Sequence, residues 1–269
     1  MKTLLQLKTA LAAVATWLCF APASAQSIIP KLEIKKNQVY IADSTNTIRV
    51  DTLIMHDKAT IQFDPGKYGV LEARVAIIGD KCIVSSKGKD GKRSVGTVGR
   101  STGPDPGEDG ENGGNLSIAL HLEKLGKLTI DTRGGDGGPG INGVNGKTGT
   151  PDRRETQTYK DASGKLQTVT VTVPGETGTD GSDATRGGNG GHGGNLMFMY
   201  STNGLIPVFN HSQRNTNSIV ILSTGGRNGS NGEPGKGGYN ARNGDVRDSG
   251  LRDSLDGRLD LVNLNMKAN

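Results

Sequence analysis

The stretch GGDGGPGINGVNGKTG, residues 134–149, carries glycine at every third position. The same spacing recurs over residues 107–113, 175–193 (with one interruption at Ala184) and 226–238. A period of three belongs neither to an α-helix nor to a β-strand. It is the period of a polyproline-II-type helix, which rises about 3.1 Å per residue and has no internal hydrogen bonds. The amides of such a tract must therefore bond to a neighbouring segment or to water.

Three interpretations of these tracts compete. Flexible linkers are the simplest, but the strict period and the short distances between tracts argue against them. A collagen triple helix needs far more proline, and Pro139 is the only proline within residues 134–149. The pattern favours a bundle of polyglycine-II helices within one chain, in which bare glycine faces let backbones approach and bond to each other. Asn, Asp, Lys and Thr are expected to fill the outward positions.

The composition excludes a large conventional core along the whole chain. Glycine supplies 42 of 269 residues, about twice the ordinary share, while aromatic residues are only 4%. The N-terminus has the pattern of an export signal, with Lys2 and Lys8 before an apolar stretch and a small-residue cleavage site ending at Ala25. Without residues 1–25 the net charge falls from +5 to +3, because two lysines and no acids are lost. This small excess gives no indication of nucleic-acid binding.

The predicted export signal contains one of the two cysteines of the chain. Cys19 lies within the predicted signal, so Cys82 remains alone and no intrachain disulfide is expected. Cys82 is expected to point into a small core. No other long apolar run is present, so the sequence predicts no transmembrane segment and a secreted or cell-surface location.

The fold class predicted from these patterns is mainly β. Residues 26–86 form a β-rich N-terminal domain of short alternating strands, which fits either a β-solenoid or a meander. Residues 87–239 are predicted to be a glycine-rich repeat domain, in which β-hairpins alternate with polyglycine-II helices. Residues 240–269 read as a polar tail whose RLDLVNLNM segment alternates well enough to form a final strand that docks back.

Three hairpins are expected between the glycine tracts. The first pairs LSIAL with KLTID around a turn at residues 124–127, with a short helix through SIALHLEKL as the alternative. The second occupies residues 151–174, with a turn at Asp161–Gly164 between strands rich in Thr and Val. The third is a strand pair around Asn203 and Gly204.

An internal duplication links the first and third of these regions. GGNLSIAL and KLTIDTRGGDGGPG match GGNLMFMY and SIVILSTGGRNGSNG, and Asn115 and Asn195 head the two copies. Each copy consists of a glycine tract, a β-region and another glycine tract. The repeat therefore indicates that the tracts are structural units.

The pattern GGNLSI…LGKLTIDTRGGDGGPGINGVNG resembles the glycine-rich, collagen-like secreted proteins of bacteria over about residues 87–240. It is also similar in its physical logic to the polyglycine-II regions of some phage tail-tip adhesins and to the glycine-rich regions of certain receptor ectodomains. The resemblance implies a structural or adhesive role at a surface. It carries no catalytic residues over to this chain.

Sequence motifs for nucleotides and metals are weak. GPGING, residues 138–143, spells a dinucleotide fingerprint, but no helix follows it and a three-residue glycine period produces such matches freely. Calcium is harder to dismiss, because four carboxylates gather in one loop and hard oxygen ligands suit Ca²⁺. These carboxylates belong to Asp105, Glu108, Asp109 and Glu111. Their spacing fits no EF-hand, and a solvated acidic loop is the simpler interpretation.

The four histidines, His56, His121, His192 and His211, share no metal-ligand spacing. His121 is expected on a strand or turn surface and His192 on the outside of a glycine tract. Phe198 and Tyr200 are predicted to pack on the glycine bundle, with sugar stacking as the alternative.

These patterns identify no catalytic, cofactor-binding or metal residue. The sequence therefore predicts a non-enzymatic secreted or surface protein of structural or adhesive type, whose partners are a surface glycan, a protein or further copies of itself. A β-helix carbohydrate-active enzyme or carbohydrate-binding protein is the alternative.

Overall fold

The computed structural model describes residues 28–95, 106–211, 216–247 and 250–265. The predicted signal and Asp105 lie outside these residues. No helix among them is long and apolar enough to cross a membrane.

Two six-stranded sheets, in which every pairing is parallel, form the body of the structure. Sheet A contains, in spatial order, β1 (Ile29–Ile34), β3 (Thr47–Met55), β5 (Gly69–Ile78), β7 (Leu116–Leu125), β12 (Leu196–Thr202) and β16 (Leu259–Asn263). Sheet B contains β13 (Val208–Phe209), β14 (Ser218–Leu222), β8 (Lys127–Asp131), β6 (Cys82–Ser85), β4 (Thr60–Gln62) and β2 (Val39–Ile41). The chain crosses repeatedly from one sheet to the other, so it winds in successive coils and is not an antiparallel meander.

Alternation of apolar and polar residues explains why these segments become strands of a two-sheet core. In β5 and β7 the buried and less buried positions alternate along most of the strand, as expected when one face covers the core. Side chains from both sheets form one hydrophobic cluster, which includes Phe63, Leu71, Ile118, Leu128 and Phe198. Each coil therefore contributes one layer to a continuous core.

Cys82 and the two aromatic residues of β12 belong to this core. Cys82 is fully buried, as predicted, and burial raises the pKa of its thiol. Phe198 and Tyr200 stack with ring centroids 5.7 Å apart, and both rings contact Phe209. The prediction that they pack on the glycine tracts is therefore wrong, because they point between the two sheets.

The glycine-rich segments all leave the sheets at the same side of the coil. In the first coils, sheet B connects to sheet A through short corners at residues 42–46 and 63–68. In later coils this corner becomes a long glycine excursion, and the three excursions span residues 86–115, 132–195 and 223–258. Each has an outgoing arm and a returning arm. The outgoing arms are residues 86–95, 132–149 and 223–238, and the returning arms are residues 106–115, 175–195 and 250–258.

The predicted fold class needs correction. The described residues contain no helix, so the predicted polyglycine-II helices are wrong, as is the short helix proposed for SIALHLEKL. The predicted hairpins over residues 116–131 and 196–209 are also wrong, because β7 and β8 lie in different sheets, as do β12 and β13. These segments pair in parallel with strands of the neighbouring coils.

One predicted hairpin is confirmed. β9 (Arg153–Lys160) and β10 (Leu166–Val173) pair antiparallel around the Asp161–Gly164 turn, at the far end of the second excursion. A second small sheet joins β11 (Ala184–Thr185) to β15 (Val246–Arg247) in parallel. The segment expected to form a final strand does so as β16, which pairs with β12.

The internal duplication corresponds to two stacked coils. β7 pairs with β12 in a register that matches Leu116 with Leu196, the same spacing as Asn115 and Asn195. β8 pairs with β14 in a register that matches Lys127 with Ser218. The repeated sequences therefore lie on top of each other, and similar side chains occupy equivalent layers of the core.

Candidate functional site

Three features of the surface are candidates for function: the lattice made by the glycine arms, a groove on sheet A, and the β9–β10 hairpin. The arms are ordered by lateral backbone hydrogen bonds. Arms of the same direction bond to each other: Gly113 N donates to His192 O between two returning arms, and Gly134 N donates to Thr224 O between two outgoing arms. Arms of opposite direction also bond, since Gly138 N on the second outgoing arm donates to Glu108 O on the first returning arm at 2.8 Å. A flexible linker would not make such bonds, and the glycines are what permit the close approach of the backbones.

Polar side chains of the arms complete this lattice. Asn115 Oδ1 accepts from Asn195 N at 2.8 Å, and Asn195 Oδ1 accepts from Arg258 N at 2.8 Å, so the bonds form a ladder across three coils. In the same way Asp109 accepts from Asn189 N, and Asn189 Oδ1 from Arg252 N. The Asn and Asp residues between the glycines therefore supply acceptors for backbone amides that have no carbonyl partner.

His192 serves as an acceptor in a parallel ladder. Its backbone N donates to Asn112 Oδ1 at 2.7 Å, and its ring Nδ1 accepts from Leu255 N at 2.9 Å. This bond requires the tautomer that leaves Nδ1 without a proton. The sequence predicts an outward-facing histidine, and His192 is exposed, but its ring also bonds to the next arm, which the sequence does not indicate.

The acidic segment does not converge on a single point. Glu108 accepts from Lys92 N at 2.9 Å and Glu111 from Lys89 N at 3.2 Å, both on the first outgoing arm. Asp109 instead faces Asn189 on the second returning arm. Among the described residues, which leave out Asp105, no group of three metal-ligating side chains forms. These carboxylates have structural partners in the lattice.

The amide of Asn189 holds the pKa of Asp109 below its usual range. A carboxyl whose pKa is lower in the folded state stabilises the fold above its unfolded pKa of about 4, and this contribution is lost as the pH falls through the folded pKa. We expect Asp109→Asn, which keeps the accepting oxygen, to lose less thermal stability than the parent protein between pH 7 and pH 2.

Melting curves recorded over that pH range measure this effect. Glu123→Gln, on the exposed part of β7, is the matched control and should follow the parent curve. Equal acid sensitivity in the parent and Asp109→Asn would show that Asp109 does not contribute to acid unfolding.

A groove of about 400 Å³ lies on the outer face of sheet A. It follows the irregular register between β5 and β7 near Ala73 and Ala76. The small side chain of Ala119 forms part of its floor, and His121 and Ser201 lie at one side. A bulge of this kind changes the direction of side chains on a sheet and often accompanies a functional surface.

In this groove the imidazole of His121 lies close to the hydroxyl of Ser201. They are directly opposite each other on β7 and β12, and His121 Nδ1 lies 2.8 Å from Ser201 Oγ. The sequence predicts His121 on a strand or turn surface. It lies half-buried on strand β7, beside a partner that the prediction missed. The duplication contained the signal, because its spacing aligns His121 with Ser201.

The acids beside the groove are already held in ion pairs. Glu72 lies 2.9 Å from Arg49, and Asp51 lies 3.1 Å from Arg74. A nucleophilic triad needs a carboxylate that orients the histidine. The described contacts of Glu72 and Asp51 are with arginines, so the arrangement can hydrogen-bond a polar ligand but does not assemble a triad.

The β9–β10 hairpin is the most exposed ordered element, since nearly all its residues are exposed. Its turn is fixed by Asp161, whose carboxylate accepts from the Ser163 hydroxyl and from Lys165 N. The Ser163 hydroxyl is the main reason why the pKa of Asp161 falls to about 2. At the base of the hairpin Gly175 N donates to Asp152 Oδ1 at 2.7 Å, and this bond ties together the segments that precede and follow the two strands.

No family model, curated protein or solved structure matches this chain. Its function must therefore be argued from the geometry above.

Proposed function

We propose that the chain is a non-enzymatic, secreted or surface-located structural or adhesive protein. The observation that carries this proposal is the use of polar side chains in the glycine arms. Asp109, Asn115, Asn189, His192 and Asn195 all accept backbone amides of a neighbouring arm. Asp109 and His192, whose side chains could in principle perform catalysis or bind a metal, thus take part in building the scaffold.

A lattice of this kind is suited to holding a surface element at a distance. Each lateral bond contributes only about 1 kcal/mol, but many of them act together across the excursions. In the second excursion the β9–β10 hairpin joins the outgoing arm to the returning arm. Both strands of this hairpin are exposed. The scaffold therefore supports the display of a small exposed sheet, as in an adhesive or assembly protein.

A carbohydrate-binding or carbohydrate-active protein is the second candidate, and the groove on sheet A is the observation that favours it. His121, Ser201 and Arg49 offer hydrogen bonds beside an apolar floor, which suits a sugar. Glycoside hydrolysis requires one carboxylic acid and one free carboxylate on either side of the bond. Glu72 and Asp51 are the acids at or beside the groove, and both are paired with arginines.

An assay of the purified protein on a polysaccharide panel, together with glycan-array and cell-surface binding, separates these candidates. We expect no turnover, and surface binding that survives Glu72→Gln and Asp51→Asn. His121→Ala with Ser201→Ala should lower binding only if the groove is the adhesive surface. Turnover that disappears in Glu72→Gln or Asp51→Asn would overturn the proposal in favour of an enzyme.

A further inference from the structure

The two strands of the β9–β10 hairpin have different free edges. β9 reads RRETQTYK and carries three cationic residues and one acid, whereas β10 reads LQTVTVTV and carries no charge. The two strands form a sheet of their own, so each has one edge with no strand beside it in the described structure. Charged residues are the usual protection of a free edge, and an uncharged run of β-formers without proline or glycine is the usual signature of a pairing edge.

The backbone groups that β10 offers can be derived from the turn. Asp161 N donates to Lys165 O at 3.0 Å, which makes this residue pair a hydrogen-bonded one. Because hydrogen-bonded pairs alternate along an antiparallel ladder, the next ones join Tyr159 to Gln167 and Gln157 to Val169. The amides and carbonyls of Thr168, Thr170 and Thr172 consequently point away from β9.

We propose that the β10 edge pairs with the β10 edge of a second copy of this chain, antiparallel and with Thr170 at the twofold axis. Thr170 then bonds to its own equivalent, and Thr168 bonds to Thr172 of the other copy. Pro174 has no amide to donate, so the pairing ends there. An isologous contact of this type closes on itself and yields a dimer and not a fibre.

The side chains agree with this register. In this register odd-numbered residues of both copies lie on one face of the joined sheet and even-numbered residues on the other. Val169 of one copy therefore lies opposite Val171 of the other. These valines are 42% and 37% exposed in the single chain, and the pairing covers part of that surface. The opposite face gains a continuous row of threonines. Pairing through β9 would instead bring Arg153, Arg154 and Lys160 of two copies close together, which like-charge repulsion disfavours.

The contact is small, which makes the dimer reversible, with a dissociation constant on the order of 0.1 mM. It does not rest on the proposed function, because a carbohydrate-binding protein could dimerise in the same way. Sedimentation velocity of the full chain between about 10 µM and about 1 mM covers the transition. A chain that stays strictly monomeric over this range overturns the proposal.

Thr170→Lys places two ammonium groups opposite each other at the axis and should raise the dissociation constant about fivefold or more. Thr170→Pro removes only an outward amide from each copy, so the hairpin stays intact, and it should raise the constant about tenfold or more. Thr156→Lys is the matched control, because Thr156 is the cross-strand neighbour of Thr170 on the same exposed face. It should dimerise like the parent.

A loss of dimer in Thr156→Lys equal to that in Thr170→Lys, or no loss in Thr170→Lys and Thr170→Pro, would place the contact elsewhere and overturn the proposal. Thr170→Cys in a Cys19→Ser background adds a direct check of register through a short bismaleimide, since the remaining Cys82 is buried and does not compete. Cross-linked dimer should form with Thr170→Cys and not with Thr156→Cys, and the reverse result would contradict the twofold at Thr170.

Discussion

Replacement of Gly138 by alanine is expected to lower the free energy of unfolding by about 3 kcal/mol or more, since the added methyl group has no space and its neighbour cannot rotate away. Gly138 lies in the second outgoing arm, where its N donates to Glu108 O and its O accepts from Gly188 N, both at 2.8 Å. A Cβ at this position would meet the backbone carbonyl of Lys92 on the first outgoing arm. Relief requires the arms to separate, and separation breaks lateral bonds on both sides.

Gly204→Ala provides the matched control for this substitution. Gly204 lies in the corner after β12 with a φ of 83°, and a Cβ there meets nothing within 4 Å. Its replacement should cost only the backbone strain, about 1 kcal/mol. Urea titration followed by circular dichroism measures both variants. Equal losses would mean that the arms do not pack as tightly as the structure shows.

Much of the strand content could be predicted from the sequence, but not its pairing. LSIAL and KLTID alternate correctly and both become strands. Alternation is the same in a parallel and an antiparallel strand, so it does not say which strand lies beside which. The hairpin turn predicted at residues 124–127 is wrong, because the chain passes there from one sheet to the other through Gly126. The duplication was the better guide, because it gives the register of β7 on β12.

The function of the polar residues in the glycine arms could not be seen in one segment alone. Asn115 and Asn195 follow glycines in an identical local context, and the sequence assigned such residues to an outward face. Their role depends on an amide in the next coil. Asn115 accepts a hydrogen bond from Asn195 N, and Asn195 accepts one from Arg258 N. The pairing of His121 with Ser201 has the same origin. Contacts of this kind follow from the length of the coil. The spacing of the duplication gives that length for the pairs Asn115–Asn195 and His121–Ser201, but no repeat gives it for Arg258.

Asn46→Ala is the second substitution for which we expect a large effect, a loss of about 3 kcal/mol in unfolding free energy. Asn46 is fully buried at the corner between β2 and β3 and has a φ of 53°. Its Nδ2 donates to Asp64 O and Lys67 O, and its Oδ1 accepts from Asp64 N at 2.9 Å. Alanine removes all three bonds, so Asp64 N and Lys67 O lose these partners, and the strained φ remains.

Asn37 separates the two contributions, because it has a similar φ of 61° but an exposed side chain. Asn37→Ala should cost about 1 kcal/mol, the backbone strain alone. Glycine removes the strain at either position, so Asn37→Gly should be nearly neutral while Asn46→Gly should still lose about 2 kcal/mol from the missing bonds. Thermal and urea unfolding of the four variants measures these differences. If Asn46→Gly proved as stable as the parent, the bonds to Asp64 and Lys67 would contribute nothing, and the corner would be held by the stacking of the coils alone.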